Sequence, residues 1–151
     1  MNQQPNNKIE LSVVLHDGYG GFSILPEIAE YLHKRKGWEI IPIQGMALKR
    51  STDPKIIYRT YYNEKPTDNY WCEDQDSITF RSNPDLIEAV QHVRNGLEQA
   101  YNQKKLVWKD YYYSPLRSFK VVIVSMQLEI ETYNDGHERI VTSTIQKKEL
   151  T

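Results

Sequence analysis

The sequence predicts an α+β fold: a single domain in which two helices pack on one face of a mixed, mostly antiparallel sheet. Three observations support this prediction. Apolar, strand-like segments alternate with two long segments of helical periodicity, and each helical segment has a proline in its first turn. The C-terminal third alternates polar and apolar residues around an Asn-Asp-Gly turn. A length of 151 residues fits one domain.

A strand and a helix are predicted near the N-terminus. Residues 8–15 form a strand that ends in three consecutive apolar residues, which is typical of burial on both faces. Pro26–Lys36 is predicted as a helix with Gly37 as its C-cap. The helix is predicted because apolar residues recur at helical spacing, at Leu25, Ile28, Ala29 and Leu32.

The next region combines a strand with a long irregular segment. Residues 38–43 are predicted as a strand, and Pro42 places that strand at a sheet edge because proline lacks an N–H. Residues 44–75 are polar and rich in tyrosine, so we expect an insertion there. Within it, a hairpin is predicted around Ile56–Tyr62 and residues 70–71.

A second helix is predicted after a short strand at residues 77–80. Asn83 is a suitable N-cap, Pro84 fits the first helical position, and Asp85 is a favourable anion in the first turn. One apolar stripe then follows along the helix, formed by Leu86, Val90, Val93 and Leu97.

The C-terminal third is predicted to be all strand. Residues 106–113 and 119–124 form strands on either side of a break at Ser114 and Pro115, and residues 127–133 and 137–145 form a hairpin around Asn134-Asp135-Gly136. The domain is predicted to span residues 8–145, between a disordered tail at residues 1–7 and a polar tail at residues 146–151.

Composition excludes several classes of protein. The 19 basic and 20 acidic residues give a net charge of −1, which argues against an overall attraction to nucleic acid. No apolar run approaches the roughly 20 residues that cross a bilayer. Cys72 is the single cysteine, which excludes an internal disulfide and a multi-cysteine zinc site. Residues 1–7 lack the apolar core of a signal peptide, so we expect an intracellular protein.

The glycine-rich turn HDGYGGF is the first candidate site. Backbone N–H groups at Tyr19, Gly20 and Gly21 could hold an anion, although neither the dinucleotide nor the P-loop spacing is present. The alternative is a tight turn that packs Tyr19 and Phe22 into the core. The remaining histidines have no metal-ligand spacing relative to His16, so no metal site is predicted.

Arginines and tyrosines form the other candidates. Arg81 could pair with Asp85 or reach a phosphate. Arg59 lies in the tyrosine-rich insertion, and Arg117 follows Tyr111, Tyr112 and Tyr113. Three adjacent tyrosines in a strand cannot all face the core, so at least one is expected to be exposed. Exposed Tyr, Trp and Arg suit a protein interface or base stacking, and the alternative is cross-strand packing.

Three segments resemble a family of small, uncharacterised phage and large-virus proteins: DGYGGFSILPEIAEYL, SITFRSNPDLIEAVQHV and FKVVIVSMQLEIETYNDGHERI. The resemblance covers residues near 8–36, 77–97 and 119–141. The chain departs from the family pattern at Leu25, Asn83, Ser125 and Asn134. At these positions the family has, in the same order, a serine, an aspartate, a proline and an aspartate. The resemblance implies a viral origin and this fold, and it implies no particular activity.

Together these features predict a non-catalytic phage accessory protein with a counter-defence role in the host-cell cytoplasm. We expect it to bind a host protein or a nucleotide-like small molecule, without a cofactor. The candidate ligand-binding residues are Tyr19, Gly20, Gly21, Arg59, Arg81, Tyr111, Tyr113 and Arg117. The alternative is a nucleotide hydrolase that uses His16, Asp17 and Arg81. We also expect a homodimer, with one strand or residues 111–113 at its interface.

Overall fold

The computed structural model describes residues 8–17, 21–44 and 55–149. The strands within these ranges are β1 (Lys8–His16), β2 (Glu39–Gln44), β3 (Ile56–Tyr62), β4 (Lys65–Trp71), β5 (Phe119–Thr132) and β6 (Glu138–Glu149). The helices are α1 (Pro26–Lys36), α2 (Ile78–Arg81), α3 (Pro84–Asn102) and α4 (Trp108–Tyr112), followed by a 3-10 turn at Pro115–Ser118.

The α+β class is confirmed, and the described strands form two sheets. The first sheet has the order β1-β5-β6 and is antiparallel throughout. The second has the order β2-β3-β4, with β2 parallel to β3 and β3 antiparallel to β4. The expected mixed sheet is therefore divided in two, because the chain leaves the first sheet after β1 and returns to it only at β5.

The core joins the two sheets through helices α1 and α3. These helices pack against each other, α3 also contacts β1 and β5, and α1 contacts β2 and β4. Full burial of a large apolar side chain contributes roughly 1.5–3 kcal/mol, so this cluster dominates the stability of the domain. Its largest buried members are Trp38, Phe119, Ile28, Leu32, Ile57, Leu86, Val14, Val90 and Val121.

Several predicted elements are confirmed by their local geometry. Helix α1 has the predicted bounds and ends at Gly37, whose φ of 73° is left-handed. Asn83 caps α3 by accepting a hydrogen bond from the backbone N–H of Asp85. Strand β2 lies at the edge of the second sheet, as Pro42 predicts. The two predicted hairpins, β3–β4 and β5–β6, are both antiparallel.

Two predicted strands are wrong, because both segments are helical. Residues 77–80 contribute to α2, where the Ser77 hydroxyl accepts a hydrogen bond from the Phe80 N–H and caps the helix. Residues 106–113 contain α4, whose Tyr111 ring stacks on Tyr101 of α3. In both places a short capped turn or a tertiary contact outweighs strand propensity.

The C-terminal hairpin is longer than predicted. Residues 119–132 form one continuous strand where two were expected. Residues 146–149, expected as part of a polar tail, continue β6 and pair with residues 122–125 of β5. Gly136 in the connecting turn has a φ of 89°, which explains why glycine is required there.

Candidate functional site

Helix α4 presents the largest group of exposed aromatic side chains in the described part of the chain. The helix is short and is anchored near its C-terminal end. Tyr111 stacks on Tyr101 of α3 with 4.2 Å between ring centroids and 12° between ring planes. On the far side, Leu116 is buried in the core, and the Ser114 hydroxyl caps the 3-10 turn by accepting from the Leu116 N–H. A rigid base therefore supports α4.

The outward side of α4 is apolar and aromatic. Trp108 is 55% exposed, Tyr112 is 49% exposed and Tyr113 is 74% exposed. Trp108 packs on Tyr112 with 4.6 Å between ring centroids and meets Tyr113 edge-on at 6.3 Å. Val107 precedes them and is also exposed. We call these four side chains, together with Arg117, the α4 surface.

Arg117 is fixed against this aromatic group. Its guanidinium carbon lies 4.5 Å from the Tyr112 ring centroid and 4.8 Å from that of Tyr111. Such cation–π contacts orient the plane of a guanidinium while its N–H edge remains available for an acceptor. Arg117 can therefore donate paired hydrogen bonds to a carboxylate of a bound partner.

Lysines add positive charge close to α4 in the chain. Lys104 and Lys105 lie in the turn after α3, and Lys109 lies in α4 itself. Within the described ranges none of these three lysines forms an ion pair. The exposed rings of the α4 surface therefore have three lysines nearby in the chain, together with the acidic Asp110 of α4.

Arg81 has a structural role instead of a ligand-binding one. Its Nε donates to the Gln75 carbonyl at 2.5 Å, one terminal nitrogen donates to the Val14 carbonyl at 3.3 Å, and the other pairs with Asp76 at 2.9 Å. Its guanidinium also covers the Phe22 ring at 3.7 Å, and the side chain is 14% exposed. The expected ion pair with Asp85 is wrong: the partner is Asp76.

Arg59 is likewise engaged within its own hairpin. Its Nε donates to the Thr67 carbonyl at 2.7 Å, and its guanidinium covers Tyr70 at 4.9 Å. Asp68 lies 3.9 Å from a terminal nitrogen. The contacts of Arg59, Arg81 and Arg117 thus involve three separate sets of residues, so the structure does not bring the three together in a phosphate site.

The glycine-rich turn is described only at its end. Tyr19 and Gly20 lie outside the described residues. Gly21 has a φ of 72°, and no atom lies within 4 Å of the position that a β-carbon would take. Glycine is required there by the backbone conformation and not by a close neighbour.

The residues proposed for a hydrolase make contacts with other residues of the domain. His16 packs edge-on against Phe119 with 5.2 Å between ring centroids. The carboxylate of Asp17 pairs with Lys120 at 3.0 Å, and Arg81 is held by Asp76. Asp17 and Arg81 are therefore engaged by structural partners, whereas the buried Nδ1 of His16 has no hydrogen-bond partner among the described residues.

Cys72 is the other group with nucleophilic chemistry. It is buried, its thiol donates to the Ile56 carbonyl at 3.2 Å, and burial raises the pKa of the thiol to about 12. A thiol with so high a pKa is almost entirely protonated near neutral pH and is a poor nucleophile. Its role is to fill the core.

A shallow depression on two helices is another candidate binding feature of the described residues. A depression of about 250 Å³ lies between α1 and α3 beside Tyr31 and His92, and it is smaller than the roughly 300–1,000 Å³ of typical ligand pockets. His, Cys, Asp and Glu side chains of the described residues form no group able to hold a metal ion. None of the described helices is long and apolar enough to cross a membrane.

Comparisons with family models, with characterised proteins and with solved structures found no match to this chain. Function is therefore inferred from surface geometry and from the sequence resemblance.

Sequence reasoning identified part of the α4 surface. Of the expected ligand-binding residues, Tyr113 and Arg117 belong to the α4 surface, whereas Tyr111 is half-buried against Tyr101 and anchors the helix. Trp108 was not expected there, because its segment was interpreted as a strand. The spacing of four residues between Trp108 and Tyr112 was the signal for a helix with both rings on one face.

Proposed function

We propose that this protein is a non-catalytic viral accessory protein that binds a host protein through the α4 surface, in a counter-defence role in the host cytoplasm. The observation that carries the proposal is the side-by-side exposure of Trp108, Tyr112 and Tyr113 next to a fixed Arg117. Trp, Tyr and Arg are the residues that contribute most to protein–protein binding energy. Exposed apolar groups of this size commonly mark an interaction site.

A protein partner fits this surface better than a nucleotide-like ligand. Arg59 and Arg81, which were expected to hold a phosphate, already donate to acceptors within the domain. The α4 rings lie on an outward surface and pack on one another, so they do not enclose a small molecule. A group of exposed aromatic rings is suited to contact with another protein.

The exposed rings contribute little to the folded state. Trp108 and Tyr113 lie outside the core cluster, whereas Tyr111 and Leu116 anchor the segment. Truncating Trp108 and Tyr113 to alanine should therefore remove binding with little change in stability. This separation makes the proposal testable with folded variants.

The viral and counter-defence parts of the proposal rest on the sequence resemblance and on the absence of a recognised catalytic motif in the sequence. Small phage proteins without enzymatic activity commonly act by binding a component of the host, which is an analogy and not a chemical argument.

The decisive experiment is a phage infection assay in cells that carry one defence system at a time. Expression of the protein should restore plaque formation against at least one system. The double variant Trp108→Ala with Tyr113→Ala should lose the rescue, whereas Tyr62→Ala, which removes an exposed ring on the β3–β4 hairpin, should keep it. Absence of rescue in every system, or equal rescue by the α4 double variant, would contradict the proposal.

A nucleotide assay separates the proposal from the enzyme alternative. The pure protein is incubated with cyclic nucleotides and ADP-ribose derivatives and is then denatured. We expect the nucleotides to be recovered intact and unbound. Recovery of a chemically altered nucleotide would indicate a hydrolase, and retention of an intact one would indicate a small-molecule binder.

A further inference from the structure

We propose that the outer edge of β6 pairs with β6 of a second copy of this chain, forming a weak, two-fold symmetric dimer with one continuous six-stranded sheet. The observation is an unpaired edge without a proline. Among the described residues no strand pairs with the outer side of β6, although the strand is 12 residues long. An unpaired strand edge is a template for pairing with another chain.

The other three sheet edges carry features that hinder pairing. The edge strands of the second sheet both contain a proline, Pro42 in β2 and Pro66 in β4. The free side of β1 is occupied at the Val14 carbonyl, which accepts a hydrogen bond from Arg81. Prolines and covered edges are the devices by which proteins prevent edge-to-edge association. Strand β6 contains no proline.

The alternation of hydrogen-bonded pairs along the β5–β6 hairpin identifies the backbone groups of β6 that face outward. The Tyr133 N–H donates to the His137 carbonyl at 2.8 Å, which makes these two residues a hydrogen-bonded pair. Hydrogen-bonded and non-hydrogen-bonded pairs alternate along an antiparallel ladder. Arg139 and Val141 therefore direct their N–H and C=O groups at β5, while residues 138, 140, 142 and 144 direct theirs outward.

Charge and strand regularity then select the register. A two-fold axis at residue 138 or 139 would place Glu138 or Arg139 directly opposite its own copy, and like charges in that position are destabilising. At the other end, the register shift between Ser125 and Met126 interrupts β6 after residue 144. The regular stretch of residues 138–144 has its centre at Val141. An axis there pairs the whole stretch and forms about eight backbone hydrogen bonds.

The same register extends an exposed apolar group across the dimer. Ile130 and Ile140 are direct cross-strand partners and are 69% and 71% exposed. With the axis at Val141, Ile140 of one copy lies diagonal to Ile140 of the other, at a Cα separation of about 7–8 Å. Contact between these side chains removes apolar surface from water in the dimer only.

The size of the interface predicts a weak dimer. Seven paired residues span about 24 Å, and a sheet with side chains is about 10 Å thick, so the edge contact covers well under the roughly 1,200 Å² of a standard stable interface. We therefore expect a concentration-dependent equilibrium between monomer and dimer. This association is independent of the α4 surface and of the proposed function.

The first test is sedimentation equilibrium from about 1 to 200 micromolar, a range chosen for a weak complex. The mass should rise from 17.8 kDa toward twice that value. Thr142→Pro removes one outward N–H without removing a hydrogen bond to β5, so it should abolish the rise while the far-ultraviolet spectrum is retained. A monomeric mass across the whole range, or unchanged association of a folded Thr142→Pro variant, would overturn the proposal.

The second test fixes the register by disulfide formation. Residue 141 would face its own copy in a non-hydrogen-bonded pair at about 4.5 Å between Cα atoms, which suits a disulfide. Val141→Cys should therefore give a disulfide-linked dimer under mild oxidation. Ile130→Cys is the matched control: it is more exposed but lies three strand spacings from its copy, so it should crosslink much less. Equal crosslinking by both variants would contradict this register, and faster crosslinking of Ile130→Cys would contradict the paired edge.

Discussion

The indole Nε1 of Trp38 donates a hydrogen bond of 2.9 Å to a carboxylate oxygen of Asp85. Trp38 is 1% exposed and immediately precedes β2, whereas Asp85 lies in the first turn of α3. The positive end of the helix dipole favours a carboxylate at this position. Asp85 thus stabilises the start of α3 and accepts the hydrogen bond of the buried Trp38 indole, which lies next to the second sheet.

Replacing Asp85 by alanine should destabilise the fold by about 1–3 kcal/mol, because the buried Trp38 N–H loses its acceptor. Urea unfolding followed by tryptophan fluorescence measures the change. Asp85→Asn is the matched control, since its amide oxygen can still accept the hydrogen bond and it should retain most of the stability. Equal losses in the two variants would show that the carboxylate charge matters more than this hydrogen bond.

Replacing Arg81 by lysine should also destabilise the protein by about 1–3 kcal/mol. Lysine cannot reproduce the fork of hydrogen bonds to Gln75, Val14 and Asp76 or the planar contact with Phe22. The comparison variant is Arg139→Lys, which alters an exposed pair with Glu131 and should cost less than about 0.5 kcal/mol. Thermal unfolding of both proteins gives the measurement. Similar losses would refute the structural role of Arg81.

The elements that the sequence predicted well have strong local determinants. Helices α1 and α3 combine a first-turn proline with a long apolar stripe, and the C-terminal hairpin has a glycine at the one position with positive φ. Helices α2 and α4 were missed because they are four and five residues long, so that one spacing of four residues, as between Trp108 and Tyr112, is the whole of the helical signal in α4. The division into two sheets depends on long-range pairing, which local patterns do not encode.

The candidate site was predicted only in part for the same reason. The composition around residues 111–113 indicated an exposed aromatic and basic surface, and the exposure of Tyr112 and Tyr113 agrees with that. The contacts that occupy Arg59 and Arg81 involve the backbone carbonyls of Thr67 and Gln75. A carbonyl acceptor is available at every residue, so no sequence pattern marks it in advance.

Stability should depend on the ionisation of Glu88, which links α1 to α3. Hydrogen bonds from Lys36 and Tyr31 lower the pKa of Glu88 below its ordinary value of 4.5. A depressed carboxyl pKa means that the contribution is present above pH 4.5 and is lost as the pH falls through the lower folded-state value. The same pair raises the pKa of Lys36, so its contribution persists until the pH exceeds 10.5.

Glu88→Gln should therefore be less stable than the parent protein at pH 7, and the difference should be smaller at pH 3, because the Glu88 carboxyl loses its charge as the pH falls through its lowered pKa. Urea midpoints at the two pH values measure it. Glu98→Gln, at an exposed position of the same helix, should show no such pH-dependent difference. A gap between the Glu88 variant and its parent that stayed constant down to pH 3 would exclude the ionic contribution.

The Cys72 thiol should resist modification as long as the protein is folded. With a pKa of about 12, only about one molecule in ten thousand carries the thiolate at pH 8, and burial also blocks the reagent. Ellman's reagent should therefore react at the rate at which the domain opens, and adding urea beyond the unfolding midpoint should make the reaction rapid. A Val107→Cys variant supplies the comparison, because its new thiol at an exposed position should react at once and leave Cys72 untouched. Immediate modification of the native parent protein would show that the environment around Cys72 is open to solvent.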